Sequence, residues 1–446
     1  MTGILSIFKP APIIPEIKDQ KKVDELYQYW RIRIFYSMFV GYALYYFTRK
    51  SFTFSMPGIS QELFLDKSQL GILGSIFSLT YGTSKFVSGV ISDRSNARYF
   101  MALGLFATGV INVLFGLSSS LMMFAILWGM NGWFQGFGWP PCARFLMHWY
   151  SHSERGAWWS SWNVSHNIGA FLIPWVVGGA LQYCGWRCGM YIPGVVCMLG
   201  ALFLVNRLRD TPQSLGLPNI EKYRNDYLDK KHPAEEEKDL TWKELLFDYV
   251  LSNPYIWLLG VSYLFVYVVR TAVNDWTALY LIEEKQYSIL GGNGVVSLFE
   301  IGGLVGSVAA GWSSDKFFKA RRGPVNALFA LGMVAATLLF WWVPPGYAVL
   351  DSAGVFLLGF AIFGPQMLIG VAAAELSHKK AAATATGFIG FIAYIGAALA
   401  GYPLGKITQD WGWGGYFITL ISCSLISLLL LLPLWNVTYR HVDESK

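Results

Sequence analysis

Twelve apolar stretches dominate the chain, at about 31–55, 68–91, 99–117, 121–147, 156–182, 188–206, 254–281, 288–312, 324–343, 347–375, 382–408 and 411–436. A helix rising 1.5 Å per residue needs about twenty apolar residues to cross the hydrocarbon core of a bilayer. Allowing for tilt, each stretch is a candidate membrane span. Only 14% of the 446 residues are charged, against about 25% in an ordinary soluble domain. The chain therefore reads as an all-α polytopic membrane protein.

Six spans precede the hydrophilic stretch 207–250 and six follow it. This divides the chain into an N-terminal tail (1–30), a first six-helix half (31–206), a linker (207–250), a second half (251–437) and a C-terminal tail (438–446). Residues 1–29 hold Lys9, Lys18, Lys21 and Lys22 with acids and prolines. With no compact apolar core before a cleavage site, they read as an amphipathic tail, not a signal peptide. Lys and Arg collect in the loops 93–98 (DRSNAR), 153–156 (SERG), 315–323 (DKFFKARRG) and 377–380 (SHKK). The opposite loops carry little beyond Lys67, Arg187, Lys285 and Lys406. The positive-inside rule then places both termini and the linker in the cytoplasm. A net charge of +6 confined to such short loops fits membrane topology and gives no reason to expect nucleic-acid binding.

An internal duplication ties the halves together. GVISDRSNAR (89–98) follows the second span and GWSSDKFFKARRG (311–323) follows the eighth; Asp93 and Asp315 are 222 residues apart. Arg49 and Arg270, each in the first span of its half, are 221 apart. Either loop alone could be a helix stop followed by basic residues, but the pair in one register points to duplication. The Gly-x-x-x-Asp-Arg/Lys loop resembles the signature of the major facilitator superfamily, which is built from parallel six-helix halves. The expected fold is the major facilitator fold, twelve transmembrane helices in two six-helix halves. Asp93, Arg94, Asp315 and Lys316 are its expected conformational loops.

Few ionisable residues lie well inside the spans: Arg49, Lys50, Lys85, Arg270, Asp275, Glu300 and the titratable His166. Such groups cost several kcal/mol unless paired, hydrated or liganded. Arg49 lies sixteen residues past Arg33, and Arg270 sixteen past Pro254. Both are therefore about 24 Å along their helices, at matching depth. Pseudo-symmetry sets them facing each other across a central cavity. Two guanidiniums with no acid in the mid-spans of the first half suit a compact anion, because their planar fork matches phosphate oxygens two at a time. Tyr42 and Tyr46 share the helix face of Arg49, and Tyr267 that of Arg270. Lys50, Asp275 and Glu300 are read as a supporting charge network, although Arg270 could instead be a structural partner of either acid, and His166 a satisfied core histidine.

The motifs GYALYYFTRKSF (41–52), YGTSKFVSGVISDRSNARYF (81–100), FGWPPCARFL (137–146), WNVSHNIGA (162–170) and NPYIWLLGVSYLFVYVVRTAVNDW (253–276) together resemble the organophosphate:inorganic phosphate antiporters. So does GPQMLIGVAAAELSHKKAAATATGFIGFIAYIGAALAGYP (364–403). The resemblance runs from about residue 28 to 436. It implies that Arg49 and Arg270 hold the phosphate and that Lys85 and His166 assist. It implies a substrate cavity lined by Tyr42, Tyr46, Tyr81, Trp139, Tyr267, Tyr394, Asn163 and Phe363. Phe363 stands where the glycerol-phosphate member has a tyrosine, which implies that a different organic moiety is read. The segment 382–408 lacks the oppositely charged pair of the main hexose-phosphate transporter, which leaves the exact sugar selectivity open.

The expected activity is secondary antiport of a hexose phosphate, glucose 6-phosphate, against inorganic phosphate in a bacterial inner membrane. The alternative is a receptor that uses the same pocket to sense external glucose 6-phosphate for a sensor histidine kinase. A proton-coupled symporter is disfavoured by the lack of mid-span carboxylates in the first half. No P-loop, metal-ligand set or nucleophile triad suggests an enzyme, no cofactor is implied, and a monomer in the lipid bilayer is expected. The five cysteines, 142, 184, 188, 197 and 423, read as buried inert thiols, with pairing of Cys184 and Cys188 the alternative.

Overall fold

The computed structural model describes residues 8–93, 95–226, 244–319, 321–377 and 381–437. Every regular element among them is helical, as a bilayer requires of a chain whose backbone must satisfy itself. The long helices are α1 (Gln20–Leu63), α2 (Lys67–Asp93), α3 (Ala97–Leu117), α4 (Leu121–Gln135), α5 (Trp139–Trp149) and α6 (His152–Arg207). After a short helix α7 (Ile220–Arg224) come α8 (Pro254–Glu283), α9 (Ile289–Lys316), α10 (Arg322–Trp342), α11 (Ala348–Glu375), α12 (Ala382–Leu399) and α13 (Tyr402–Leu431). The fourth expected span is α4 with α5, broken at Gly136 to Gly138. The eleventh is α12 with the first part of α13, and α6 contains the fifth and sixth.

The corners inside α6 and α13 are turned by glycine. Gly185 (φ 76°, ψ 176°) and Gly412 (φ 68°, ψ −169°) occupy backbone regions essentially closed to other residues. Each is followed by a buried tryptophan, Trp186 or Trp413. At the first corner the structure corrects one expectation: Cys184 and Cys188 are disulfide-bonded. Cys184 lies on an exposed corner rather than in a core, one turn from its partner, whereas Cys142, Cys197 and Cys423 are the buried thiols.

By internal contacts the chain divides into two compact units. The first comprises Met1–Phe52, Thr83–Ile173 and Arg187–Glu237, and the second Thr53–Gly82, Pro174–Trp186 and Lys238–Lys446. In the first, two segments expected to be tail and linker are packed. The helix α1 starts at Gln20, ahead of residue 31, because Val23 and Tyr27 are buried. Leu208, Leu217 and Ile220 join the same core. The entering chain is held there by Asn96 N donating to Phe8 O (2.8 Å) and Ile17 N to Gly216 O (2.8 Å). Residues 1–7, 227–243 and 438–446 of the expected tails and linker, and 378–380 of the SHKK loop, lie outside the described residues.

In the second unit, α9 and α11 cross through glycines. A Cβ on Gly302 would lie 2.0 Å from Phe356 O, and one on Gly306 2.1 Å from Phe360 O; such close approach is how small residues drive helix association in lipid. Residues 53–82 of the first half pack here too. Ser75 Oγ donates to Ala398 O (2.6 Å) and accepts from Tyr402 N (2.8 Å), where Gly71 and Gly401 let the backbones meet. Lys67 pairs with Glu283 at 2.8 Å.

Candidate functional site

In the first unit the site is built on α1 and α6. Tyr42, Tyr46 and Arg49 fall on one face of α1, and Trp162 and His166, one turn apart, on the facing side of α6. The Tyr42 ring lies 4.8 Å from that of Trp162, and Tyr46 5.7 Å from His166. The Arg49 guanidinium carbon sits 5.2 Å from the centre of the Tyr46 ring. The Nζ of Lys85 is 5.4 Å from the Trp139 ring, and edge contacts continue from Trp139 through Trp159 to Trp162. Lys85 and Arg49 therefore flank one continuous aromatic wall. Lys50 is half-buried beside Arg49, and Asn163 is exposed.

Behind Arg49, α1 is fixed by a polar layer that a search for ionisable residues does not find. Asn112 and Asn131 both donate to Thr48 O, at 3.2 and 2.9 Å. Gln135 donates to Tyr45 O and Thr48 Oγ1, each at 3.1 Å. Tyr45 Oη donates to Met101 O at 2.7 Å. All are buried. In lipid each such bond contributes about 0.6–2 kcal/mol, so the helix segment carrying Arg49 is held by two neighbouring helices, α3 and α4. Asn112, Asn131 and Gln135 interrupting apolar runs were the available signal.

In the second unit Arg270 on α8 lies 5.3 Å from the Tyr267 ring and 5.3 Å from the Phe363 ring of α11. Phe363 packs closely because residue 303 is glycine, where a Cβ would lie 2.6 Å from the ring. Tyr267 touches Tyr263 (4.8 Å) and Tyr394 (5.6 Å), and Tyr394 in turn meets Tyr81 at 5.0 Å. Tyr263 Oη donates to Gln366 O at 2.9 Å, locking α8 to α11. Glu300 accepts from Asn274 (3.1 Å), and Asp275 from Thr53 (3.4 Å).

The two units carry one pattern. Tyr42, Tyr46 and Arg49 correspond to Tyr263, Tyr267 and Arg270, each 221 residues on. Tyr263 is absent from the residues picked on sequence, although the repeated Tyr-x-x-x-Tyr-x-x-Arg could have found it. Each guanidinium carbon stands over a tyrosine ring, and a planar guanidinium fork is the group that matches phosphate oxygens two at a time.

At the expected conformational loop of the second half, Arg322 binds Asp315 (2.6 Å) and Glu375 (2.9 Å), and the Glu375 hydrogen bond first of all raises its pKa. Lys316 is exposed, its Nζ 4.9 Å from the Trp312 ring. Arg94 and the Asp93 side chain lie outside what is described. Nearby, Arg144 donates to Ser92 O (3.1 Å) and to Asp210 (3.3 Å). Asp210 also accepts from Ala97 N (3.0 Å) and Ala11 N (3.1 Å); neither Arg144 nor Asp210 was anticipated.

Each unit carries membrane-length helices and an arginine over a tyrosine ring, and the likenesses to known proteins define a polytopic membrane transporter, not an enzyme. Residues 38–401 match the Major Facilitator Superfamily. The chain is 57% identical over 449 residues to a probable hexose phosphate transport protein of Chlamydia trachomatis serovar D, covering 98% of each. It is 49% identical over 433 residues to the membrane sensor protein UhpC of Escherichia coli K12, covering 97% of this chain and 98% of that one. A solved bacterial homologue of the human lysosomal transporter Spinster superposes with a TM-score of 0.74 at 16% identity, covering 94% of this chain and 98% of that one. That last likeness shows the fold alone. The chain belongs to the major facilitator superfamily and, within it, to the organophosphate:inorganic phosphate antiporter family.

Proposed function

We propose that the protein exchanges a hexose phosphate, glucose 6-phosphate, for inorganic phosphate by alternating access. In this reading Arg49 and Arg270 each supply one arm of the phosphate clamp. Lys85 and His166 add positive charge and hydrogen bonding, and the tyrosines with Phe363 meet the organic part. The observation that carries the reading is the duplicated Tyr-x-x-x-Tyr-x-x-Arg, each arginine stacked on its own tyrosine. A bound phosphate would neutralise two cations that otherwise resist closure, so the loaded carrier returns and the empty one does not. Exchange follows from that asymmetry.

The setting we infer is a bacterial inner membrane with both termini cytoplasmic. The Lys/Arg bias of the loops supports it. The Cys184–Cys188 disulfide supports it as well, since it would then face the oxidising side. The test is reconstitution into phosphate-loaded liposomes with labelled glucose 6-phosphate outside. Counterflow is expected, and loss of it in R49K and R270K, because an ammonium cannot reproduce the fork. Normal uptake by both variants would sink the clamp.

A second reading is favoured by one observation, the likeness to a protein named a membrane sensor. The pocket would then report external glucose 6-phosphate to a sensor kinase. Higher identity to the transport protein supports exchange; saturable binding without flux would instead identify the sensor.

A further inference from the structure

Four arginines of the first unit gather where α3 begins and α6 ends beside Arg33 of α1. Arg33 and Arg209 share the ring of Trp30, at 4.9 and 4.8 Å, and both donate to Asn206 O, at 3.3 and 3.1 Å. Arg98 donates to Val205 O at 2.6 Å and Arg207 to Tyr36 Oη at 3.2 Å. Burial, then the charges of Arg98 and Arg33, hold Arg209 below the usual guanidinium range.

No described carboxylate pairs with any of the four. Four other cations of this unit have acids: Arg31 with Glu154, Arg144 with Asp210, Arg155 with Glu221, Lys222 with Glu16. Capping the end of α6 does not account for the cluster, because a helix C-terminus offers only about half an elementary charge. Among the described residues, nothing else compensates most of the charge of the four cations.

The surroundings have the composition expected at a headgroup layer. Tyr29 is exposed beside half-buried Trp30, an aromatic pair of the kind found at bilayer interfaces. Ile32, Tyr36 and Val40 on α1 and Leu199 and Leu202 on α6 are exposed too, and they continue the surface away from the arginines as an apolar stripe fit for acyl chains. Basic sites between transmembrane helices are how anionic headgroups are held.

We infer that Arg33, Arg98, Arg207 and Arg209 form a binding site for the phosphate of an anionic phospholipid. Guanidinium forks take the phosphodiester oxygens, Trp30 and Tyr29 lie at the glycerol level, and the acyl chains run along α1 and α6. The site goes beyond the transport reading and does not depend on it.

The test is native mass spectrometry of the delipidated full chain titrated with phosphatidylglycerol or phosphatidylcholine. Phosphatidylglycerol should be retained at least about tenfold better. R207Q/R209Q should weaken that retention about fivefold per arginine removed, with melting temperature and phosphate counterflow unchanged. R209Q alone, which gives up only donors to the carbonyls of residues 206 and 208 and the Trp30 contact, should lose about fivefold. R49Q should keep the lipid even where transport is lost. Equal retention of both lipids, or undiminished preference in both arginine variants, overturns the site. Displacement by excess inorganic phosphate would mark a free-phosphate site and overturn the lipid assignment.

Discussion

The Arg270 guanidinium carbon lies 5.3 Å from the centre of the Phe363 ring, and the cation reaches across from α8 to α11. Replacing the ring by an aliphatic group removes a cation–π contact of about 0.5–2 kcal/mol. F363L should therefore weaken phosphate binding by roughly 2- to 30-fold. F363Y keeps the ring and should hold phosphate nearly as well, while shifting preference among organic phosphates. Competition of unlabelled phosphate and glycerol 3-phosphate in counterflow reads both effects. Unaltered phosphate affinity in F363L would separate Phe363 from the clamp.

Lys285 and Asp351 form a buried ion pair, at 5% and 0% exposure. Tyr287 Oη donates to the second carboxylate oxygen at 2.8 Å, and Lys285 Nζ stands 5.0 Å from the Phe340 ring. Removing one partner strands a charge out of water, a loss of about 3–5 kcal/mol. K285M should lower the detergent melting temperature sharply, and K285M/D351L should restore most of it. A K285M protein as stable as the parent contradicts the pairing.

Glu154 ties α6 to α1 and α7 through Arg31 and Arg224. Burial raises its pKa, but the Arg31 hydrogen bond, the Ser151 N–H and the charges of Arg31 and Arg224 outweigh that and hold it below the usual 4.5. A carboxyl whose pKa is depressed by folding stabilises the fold above its unfolded pKa and loses that contribution as pH falls through the folded one. E154Q should accordingly be less stable than the parent at neutral pH, with the gap closing below about pH 4.5. Melting curves of both proteins from pH 7 to pH 3.5 measure it; a constant gap contradicts the assignment.

Gly185 and Gly412 adopt backbone angles that other residues reach only at about 1–3 kcal/mol. Nothing lies within 4 Å of where a Cβ would stand on either, so the cost of alanine is conformational, not steric. G185A and G412A should each lower stability by that amount, additively in the double variant. A neutral alanine at either corner would show that the turn relaxes.

The membrane-length helices and the repeated Tyr-x-x-x-Tyr-x-x-Arg were legible in the chain because each depends on local properties. Apolar length specifies a span, and duplication fixes a common register whatever the packing. The tyrosine ladder was legible only in part. Tyr42, Tyr46 and Tyr267 stood beside charges, but Tyr263 needed the repeat to be read one turn further back. The corners were legible in principle too, since Gln-x-x-Gly-Trp recurs at 182–186 and 409–413.

Other features belong to tertiary structure. Phe363 is ninety-three residues from Arg270, and only the α9–α11 crossing at Gly303 brings its ring to the cation. Lys285 looked like a loop charge until α11 supplied Asp351. The chain of amides behind Arg49 joins α1, α3 and α4, and the four clustered arginines meet only because the start of α3 and the end of α6 pack beside α1. By itself the sequence determined which segments leave water and where fixed charge must enter the membrane, since those costs are paid residue by residue. Which groups compensate each charge was decided by helix packing, because a partner's distance in space is not written in its distance along the chain.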